Sequence, residues 1–251
     1  MLESVDSVKI TTIVDNDTTR SGLKTSWGIS FFVELFSSDP PQKNTVLVDT
    51  SGSFEAFVDN ASELNIDISQ IEAILITHWH KDHCGALTKV LKLIPKEIPV
   101  YTPLETRKEE KAIKKVRGIP IPSENSQTIA KGCITTGRIK NGNGKIIAEH
   151  SLIINVKNRG LMILVGCSHP GVCKIVHQAQ KITEKQPVYG VTGGFHISSR
   201  EEGIRASKCL EDANLKLISP CHCTGKTAKK TMKEILGKEY MENGSGKIIE
   251  I

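Results

Sequence analysis

The sequence lacks any long apolar run: none of its 251 residues lies in a stretch approaching the ~18 apolar residues of a membrane-crossing helix. The first residues lack the apolar core of a signal peptide as well, because Glu3 and Asp6 interrupt Leu2 and Val5. Aromatic residues make up only 4% of the chain, and the densest basic cluster, RKEEKAIKKVR at 107–117, contains none. Acids are mixed into that cluster and no ring is present to stack a base. It therefore reads as a solvated helix face and not as a nucleic-acid surface. The formal charge of +5 is modest and its cations are dispersed. No low-complexity linker divides the chain, so residues 1–251 are expected to form one domain.

A disulfide framework is also missing. Seven cysteines are an odd number in a chain large enough to bury its own core. With no export signal they are expected to be reduced thiols in the cytoplasm. Cys209, in SKCLEDA, reads as a small buried hydrophobe. Cys84, Cys167, Cys221 and Cys223 differ, because each lies within two residues of a histidine.

What is present is an alternation of β-branched runs with helix-periodic segments. TVLVDTS (45–51) reads as a strand, followed by a helix in which Phe54, Phe57, Val58, Ala61 and Leu64 share one face. IEAILIT (71–77) is a strand, a helix runs from about Gly85 to Leu93, and IPVYTP is a short strand. SLIINV and LMILVGC flank the turn KNRG as a hairpin. VCKIVHQAQKI, EEGIRASKCLEDA and TAKKTMKEIL are helical, separated by the strands PVYGVTGG and LKLISP. VKITTIVDN and WGISFFVELF read as adjacent strands with no helix between them. Hairpins mixed with β-α units in both halves suggest facing sheets with helices outside. GKIIEI closes the chain, and its IIEI is a candidate edge strand through which copies could pair as a homo-oligomer. The segment 119–145, rich in Gly, Pro, Ser and Asn, is expected to be a functional loop or lid.

The histidines collect where strands end. ILIT runs into His78, His80 and His83; LMILVGC runs into His169; VYGVTGGF runs into His196; LKLISP runs into Cys221-His222. Strand ends are where side chains from several loops converge. Only His150, just before a strand, and His177, on a helix, fall outside this pattern. In ITHWHKDHC, His78 and His80 share a face of an extended backbone, while Asp82 and His83 lie one turn further on. Imidazole and carboxylate suit borderline divalent ions such as Zn²⁺, Mn²⁺ or Fe²⁺. Four such groups in six residues do not easily reach one ion. Two metals, completed by histidines from elsewhere, is the inference.

HxHxDH after a strand, with Asp49 in the earlier VLVDTSG and the histidine of SPCHCTG near the end, resembles the metallo-β-lactamase superfamily. The resemblance implies an α/β fold, an αββα sandwich of two pseudo-symmetric halves, with one or two metal ions at the sheet edge. WGISFFVEL, LVGCSHPG, TGGFHI and PCHCTG resemble one branch, which includes archaeal synthases of the dihydropterin–ribofuranosylaminobenzene phosphate unit of methanopterin and unspecified metal-dependent hydrolases. Many superfamily members have Gly-Asp where this chain has Gly166-Cys167-Ser168-His169. Either Cys167 replaces the bridging aspartate as a thiolate, or His169 supplies the third ligand of the first metal. The branch motif favours His169, and His150 is the alternative.

On this reading His78, His80 and His169 hold the first metal, and Asp82, His83 and His222 the second. Zn²⁺ is expected first, with Mn²⁺, Fe²⁺ or Mg²⁺ as alternatives. Asp49 is a candidate acceptor for the other ring N–H of a ligand histidine. Asp82 is a candidate to orient or deprotonate a nucleophile, and His196 to touch a substrate phosphate or leaving group. Trp27, Gly28 and Ser30 match the branch's substrate-side motif, although Trp27 reads equally as core. Trp79 is expected to face away from the metals, and Cys221 and Cys223 to point away from the ion of His222.

Three functions fit. One is metal-assisted hydrolysis of a phosphodiester, lactone or similar ester. The second is a transferase condensing a dihydropterin diphosphate with an aminobenzene ribofuranosyl phosphate, in which basic residues of 105–145 help bind phosphorylated substrates. The third is a non-catalytic metal-binding domain, with a closed site and no adjoining pocket. The branch resemblance favours the transferase. The partner expected is thus a small phosphorylated molecule, not a nucleic acid or a membrane.

Overall fold

A computed structural model describes residues 2–103, 107–139 and 148–251, without the side chain of Arg107. The first half contains β1 (Ser7–Val14), β2 (Ser30–Ser38), β3 (Pro41–Val48), α1 (Phe54–Glu63), β4 (Ala73–Leu75), α2 (Lys81–Cys84), α3 (Leu87–Leu93), β5 (Ile98–Thr102), α4 (Arg107–Lys114) and β6 (Gly118–Pro122). The second contains β7 (Thr128–Ala130), β8 (Cys133–Thr135), β9 (Leu152–Val156), β10 (Gly160–Val165), α5 (Val172–Ile182), β11 (Val188–Gly194), α6 (Arg200–Asp212), β12 (Leu217–Cys221), α7 (Lys226–Leu236) and β13 (Ile248–Glu250). One sheet runs β13-β1-β2-β3-β4-β5-β6 and the other β12-β11-β10-β9-β8-β7.

Period-two alternation explains the layering. On β2, Phe31, Val33 and Leu35 enter a core shared with Leu152, Ile154, Met162 and Leu164 of the other sheet. Phe32, pointing the opposite way, packs with Phe57, Leu87 and Val90 of the helices outside. On β9 and β10, Ile153, Leu161, Ile163 and Val165 face a third core against Ile175, Leu210 and Met232. Strands covered on both faces need apolar residues at nearly every position, and these have them. The result is an αββα sandwich, as expected.

Local signals fix the elements. The Ser53 hydroxyl accepts from Ala56 N–H and starts α1, and Ser199 with Glu202 forms a capping box on α6. The KNRG turn closes an antiparallel β9–β10 hairpin with Asn158 at φ 61°. β13 pairs with β1 at the edge of its sheet. Among the described residues no helix is long and apolar enough to cross a membrane.

Two expectations require correction. The segment 119–145 is not one irregular loop, because β6, β7 and β8 fall within or overlap it; residues 140–147 lie outside the described residues. Thr135 N–H donates to the carbonyl of Gln127, and β8 pairs with β9, so non-local pairing overrides the Pro/Gly-rich composition. Cys209 is not an isolated apolar residue either: it is half-buried and disulfide-bonded to Cys173, which ties α6 to α5. Helical spacing hid this pair, since thirty-six residues separate its members.

The parallel pairs β3–β4 and β10–β11–β12 point their C-terminal ends to one edge of the sandwich. Asp49, His78, Cys167, His196 and His222 all follow those ends. Asp49, Ser168, His196 and His222 have φ of 56°, 57°, 51° and 50°. This left-handed backbone is uncommon outside glycine and gathers where strands break off into functional loops.

Candidate metal centre

Asp49 is fully buried and bonded on both oxygens. Its Oδ1 accepts from Thr77 N–H at 2.8 Å, and its Oδ2 accepts from Thr77 Oγ1–H at 2.7 Å and His83 Nδ1–H at 2.6 Å. The Thr77 hydroxyl, having donated to Asp49, accepts from His78 Nδ1–H at 3.1 Å. Glu149, also buried, accepts from His169 Nδ1–H at 2.8 Å and from the N–H groups of Cys167, Ser168 and His169. Asn16 Nδ2 donates to the His222 carbonyl, which fixes its amide orientation, so its Oδ1 faces His222 Nδ1 at 3.3 Å. In each of these four histidines the hydrogen sits on Nδ1 and the lone pair on Nε2.

Those lone pairs converge. His78 Nε2 lies 3.0 Å from His80 Nδ1, and His83 Nε2 lies 3.1 Å from His222 Nε2 and 3.2 Å from Cys167 Sγ. Asp82 Oδ2 stands 3.3 Å from His222 Nε2 and 3.7 Å from His83 Nε2. Neutral nitrogen lone pairs facing one another at such distances repel, and a cation between them turns repulsion into coordination. Two sets of ligand atoms lie within 4.8 Å: His78, Cys167 and His169, and His83, Cys167 and His222. The donors fit two borderline divalent ions, with Cys167 common to both sets.

The shifts at His78 and His80 agree with this fit. Burial, with the imidazoles of His83 and His169 beside it, holds His78 well below the usual histidine range. Burial and His169 likewise lower His80. The imidazole of His222 beside it holds the Asp82 carboxyl far below the carboxylate range, despite partial burial. Burial opposes a charge on His83, but Asp49, Asp82 and Glu149 outweigh it and shift the group upward.

The six histidine and aspartate side chains expected to be ligands lie at this edge, with His80 and Asp82 outside the two converging sets. Asp49 hydrogen-bonds His83 and, through Thr77, orients His78. Several other expectations change. His150 is buried, gives Nε2 to the Ile76 carbonyl at 2.8 Å, and belongs to neither donor set. Burial pushes its pKa down to about 4. Ser30 is fully buried and donates to the Asp49 carbonyl at 2.9 Å, so it supports the site and reaches no substrate. Gly28 has φ 142°, and a Cβ there would sit 2.5 Å from the Asp82 carbonyl oxygen; its role is close approach. Trp27 is not core: it is 63% exposed, with its ring 5.3 Å from that of His222. Trp79 packs against the outer helical core, as expected.

Cys221 is buried between the sheets, but Cys223 turns inward toward the Cys167 carbonyl, at 3.7 Å. The extended pattern fails there because His222 adopts positive φ and breaks the alternation. Sequence reading missed Glu149, Asn16 and Asp15, which accepts from His222 N–H at 3.1 Å. The available signals were an acid beside a histidine in AEHS and polar residues at a strand end in IVDND.

A cleft of about 490 Å³ adjoins the centre, lined by His169, His196, Phe195, Val172, Lys174 and Arg205 among others. Among the described residues, the cations at the cleft come from α5 and α6 and none from 108–139; residues 105–106 and 140–147 lie outside the described residues. Lys114 is paired with Glu110, Arg138 with Glu124, and Lys131 with the Asp39 carbonyl.

The family model for the metallo-β-lactamase superfamily matches residues 30–130. The chain is 29% identical to the 7,8-dihydropterin-6-methyl-4-(β-D-ribofuranosyl)-aminobenzene-5'-phosphate synthase of Methanocaldococcus jannaschii, across 98% of this chain and 97% of that protein. Its fold is similar to a solved metal-dependent hydrolase of the β-lactamase superfamily, with a TM-score of 0.74, 24% identity and coverage of 97% and 99%. It is similar also to a diphosphatase from the PhnP family, with a TM-score of 0.63 and 13% identity over 98% and 97%. With its αββα layers and its strand-end histidines the chain is similar in fold to these proteins, and residues 30–130 carry the match to the metallo-β-lactamase superfamily model.

Proposed function

We propose that the protein is a metal-dependent transferase that joins a dihydropterin diphosphate to an aminobenzene ribofuranosyl phosphate. The observation that carries this reading is the near full-length similarity to the archaeal synthase, which spans every loop of the candidate centre. His78, His80 and His169 would hold one divalent ion, and Asp82, His83 and His222 a second, with Cys167 as a candidate bridging thiolate. Such ions neutralise charge on a departing diphosphate, and zinc suits this N/S/O donor set.

The residues of the chain do the rest. Trp27 offers an exposed ring beside His222 on which a flat pterin can stack. Lys174 and Arg205 supply positive charge to the cleft for a phosphorylated aryl substrate. The new C–N bond forms at the pterin methylene as its C–O bond to diphosphate breaks, and the anilinium proton passes to the diphosphate. Asp82, its carboxylate 3.3 Å from His222 Nε2, would act as a ligand that orients. His196 lies on the cleft, its pKa raised by its hydrogen bond to Cys223 against partial burial, and is suited to contacting the leaving group. Thiolate ligation needs Cys167 and Cys223 to stay reduced, and both are free where Cys173 and Cys209 are paired.

Hydrolysis of the same kind of diphosphate is the second reading, favoured by the similarity in fold to a diphosphatase. The test is to incubate zinc-loaded protein with 6-hydroxymethyl-dihydropterin diphosphate, with and without the arylamine. Diphosphate release that requires the arylamine and yields the coupled mass supports the transferase. Release without arylamine and without coupling supports hydrolysis instead.

A further inference from the structure

A third set of ligand atoms lies beside the paired centre. Cys167 Sγ, a ring nitrogen of His196 and Cys223 Sγ are all within 4.8 Å of one another. They come from three strand ends, and the fold holds those ends together without help from the side chains concerned. Gly194 N–H donates to the Gly166 carbonyl at 2.9 Å, and Ser168 Oγ–H to the Gly194 carbonyl at 2.7 Å. Phe195 N–H donates to Thr224 Oγ1 at 3.0 Å, and Gly225 N–H to the Ile197 carbonyl at 2.8 Å. Gly194 also makes room for the thiol: a Cβ there would stand 2.6 Å from Cys223 Sγ. The geometry is preorganised, which a ligand set needs if binding is not to be spent on ordering loops.

We propose that Cys167, His196 and Cys223 form a further metal position that takes a thiophilic divalent ion, Zn²⁺ above all. Two thiolates and an imidazole are the donor set that selects zinc over magnesium or calcium. A thiolate sulfur carries three lone pairs, so Cys167 can bridge from the paired centre to this ion. Three protein donors leave a tetrahedral ion one open position, the mark of a reactive site and not of a structural one. His196 is exposed and lines the cleft, so that open position faces the space assigned to substrate. A phosphate oxygen of the substrate is the ligand that completes it. His196 then acts on the leaving group through the ion. This inference rests on the paired-metal reading, because Cys167 belongs to all three sets.

The test uses the reduced full-length chain, equilibrated with zinc, desalted and assayed for bound zinc by mass spectrometry. Cys223→Ser and His196→Ala should each bind one zinc equivalent fewer than the unsubstituted protein, and zinc should shield Cys223 from iodoacetamide. In the cobalt-substituted protein, Cys223→Ser should lose part of the thiolate-to-cobalt charge-transfer absorption. His196 is exposed, so its variant serves if Cys223→Ser fails to fold. Equal zinc content in both variants, with Cys223 alkylated equally with and without zinc, overturns the third position. The paired centre fails separately: His83→Ala would then bind as much zinc as the unsubstituted chain.

Discussion

Asp49 Oδ2 stands 2.6 Å from His83 Nδ1, and both side chains are fully buried. Through Thr77 the same carboxylate also sets the ring of His78, so one residue orients a ligand of each proposed ion.

Asp49→Asn should therefore weaken both metal positions without removing a ligand. The loss expected is ~10–100-fold in zinc affinity, measured by competition with a chromophoric chelator. Unchanged affinity in a folded variant would mean that Asp49 serves the fold alone.

Glu149 accepts four hydrogen bonds from the 167–169 loop. Glu149→Gln puts an NH₂ group where an oxygen faces N–H donors. This should cost about 1–3 kcal/mol of stability, seen as a lower denaturation midpoint in urea. Zinc binding by His169 should weaken in the same variant.

Trp27 is exposed and carries little of the core. If it stacks the pterin, Trp27→Ala should raise KM for the pterin substrate by ~10-fold, in line with ~1–3 kcal/mol per stacked ring. Thermal stability should stay within error of the parent. A KM that does not move would place the pterin elsewhere in the cleft.

Backbone hydrogen bonds from Ser198 and Ser199, with the Ser199 hydroxyl, push the Glu202 pKa down to about 2. A carboxyl depressed in the folded state stabilises it above the unfolded pKa of ~4.3 and loses that contribution as pH falls toward 2. Thermal midpoints followed from pH 5 to 2 should fall less steeply for Glu202→Gln than for the parent. Parallel curves would show that this cap carries no linked proton. The carboxyl is only partly buried, so the difference should be small.

Removing the metals with a chelator should abolish activity and lower the thermal midpoint, because ligands that bind only the folded state stabilise it by mass action. Restoring zinc should recover both. Activity that survives exhaustive chelation would sink the metal-dependent reading.

The order of strands and helices was legible because its signals are local. Phe31, Val33 and Leu35 alternate with Phe32 and Glu34, and α1 repeats its apolar face at helical spacing. The 119–145 segment was misread because β8 has only three residues and is held by pairing with β9, not by its own composition. The cluster from His78 to His83 was equally legible, since three imidazoles and a carboxylate crowded into so short a loop repel or compete unless an ion gathers them. Cys223 was not, because the positive φ of His222 reverses the direction that an extended chain would give it.

The sequence by itself determined which atoms are available for coordination, and that they lie at strand ends, because residue type and short-range spacing fix both. Only the tertiary structure decided which of them meet. His222 rests on Asp15 across 207 positions of chain, and His83 finds Cys167 across 84. Contacts at that separation depend on sheet register and on the packing of two sheets face to face, and no local pattern encodes them.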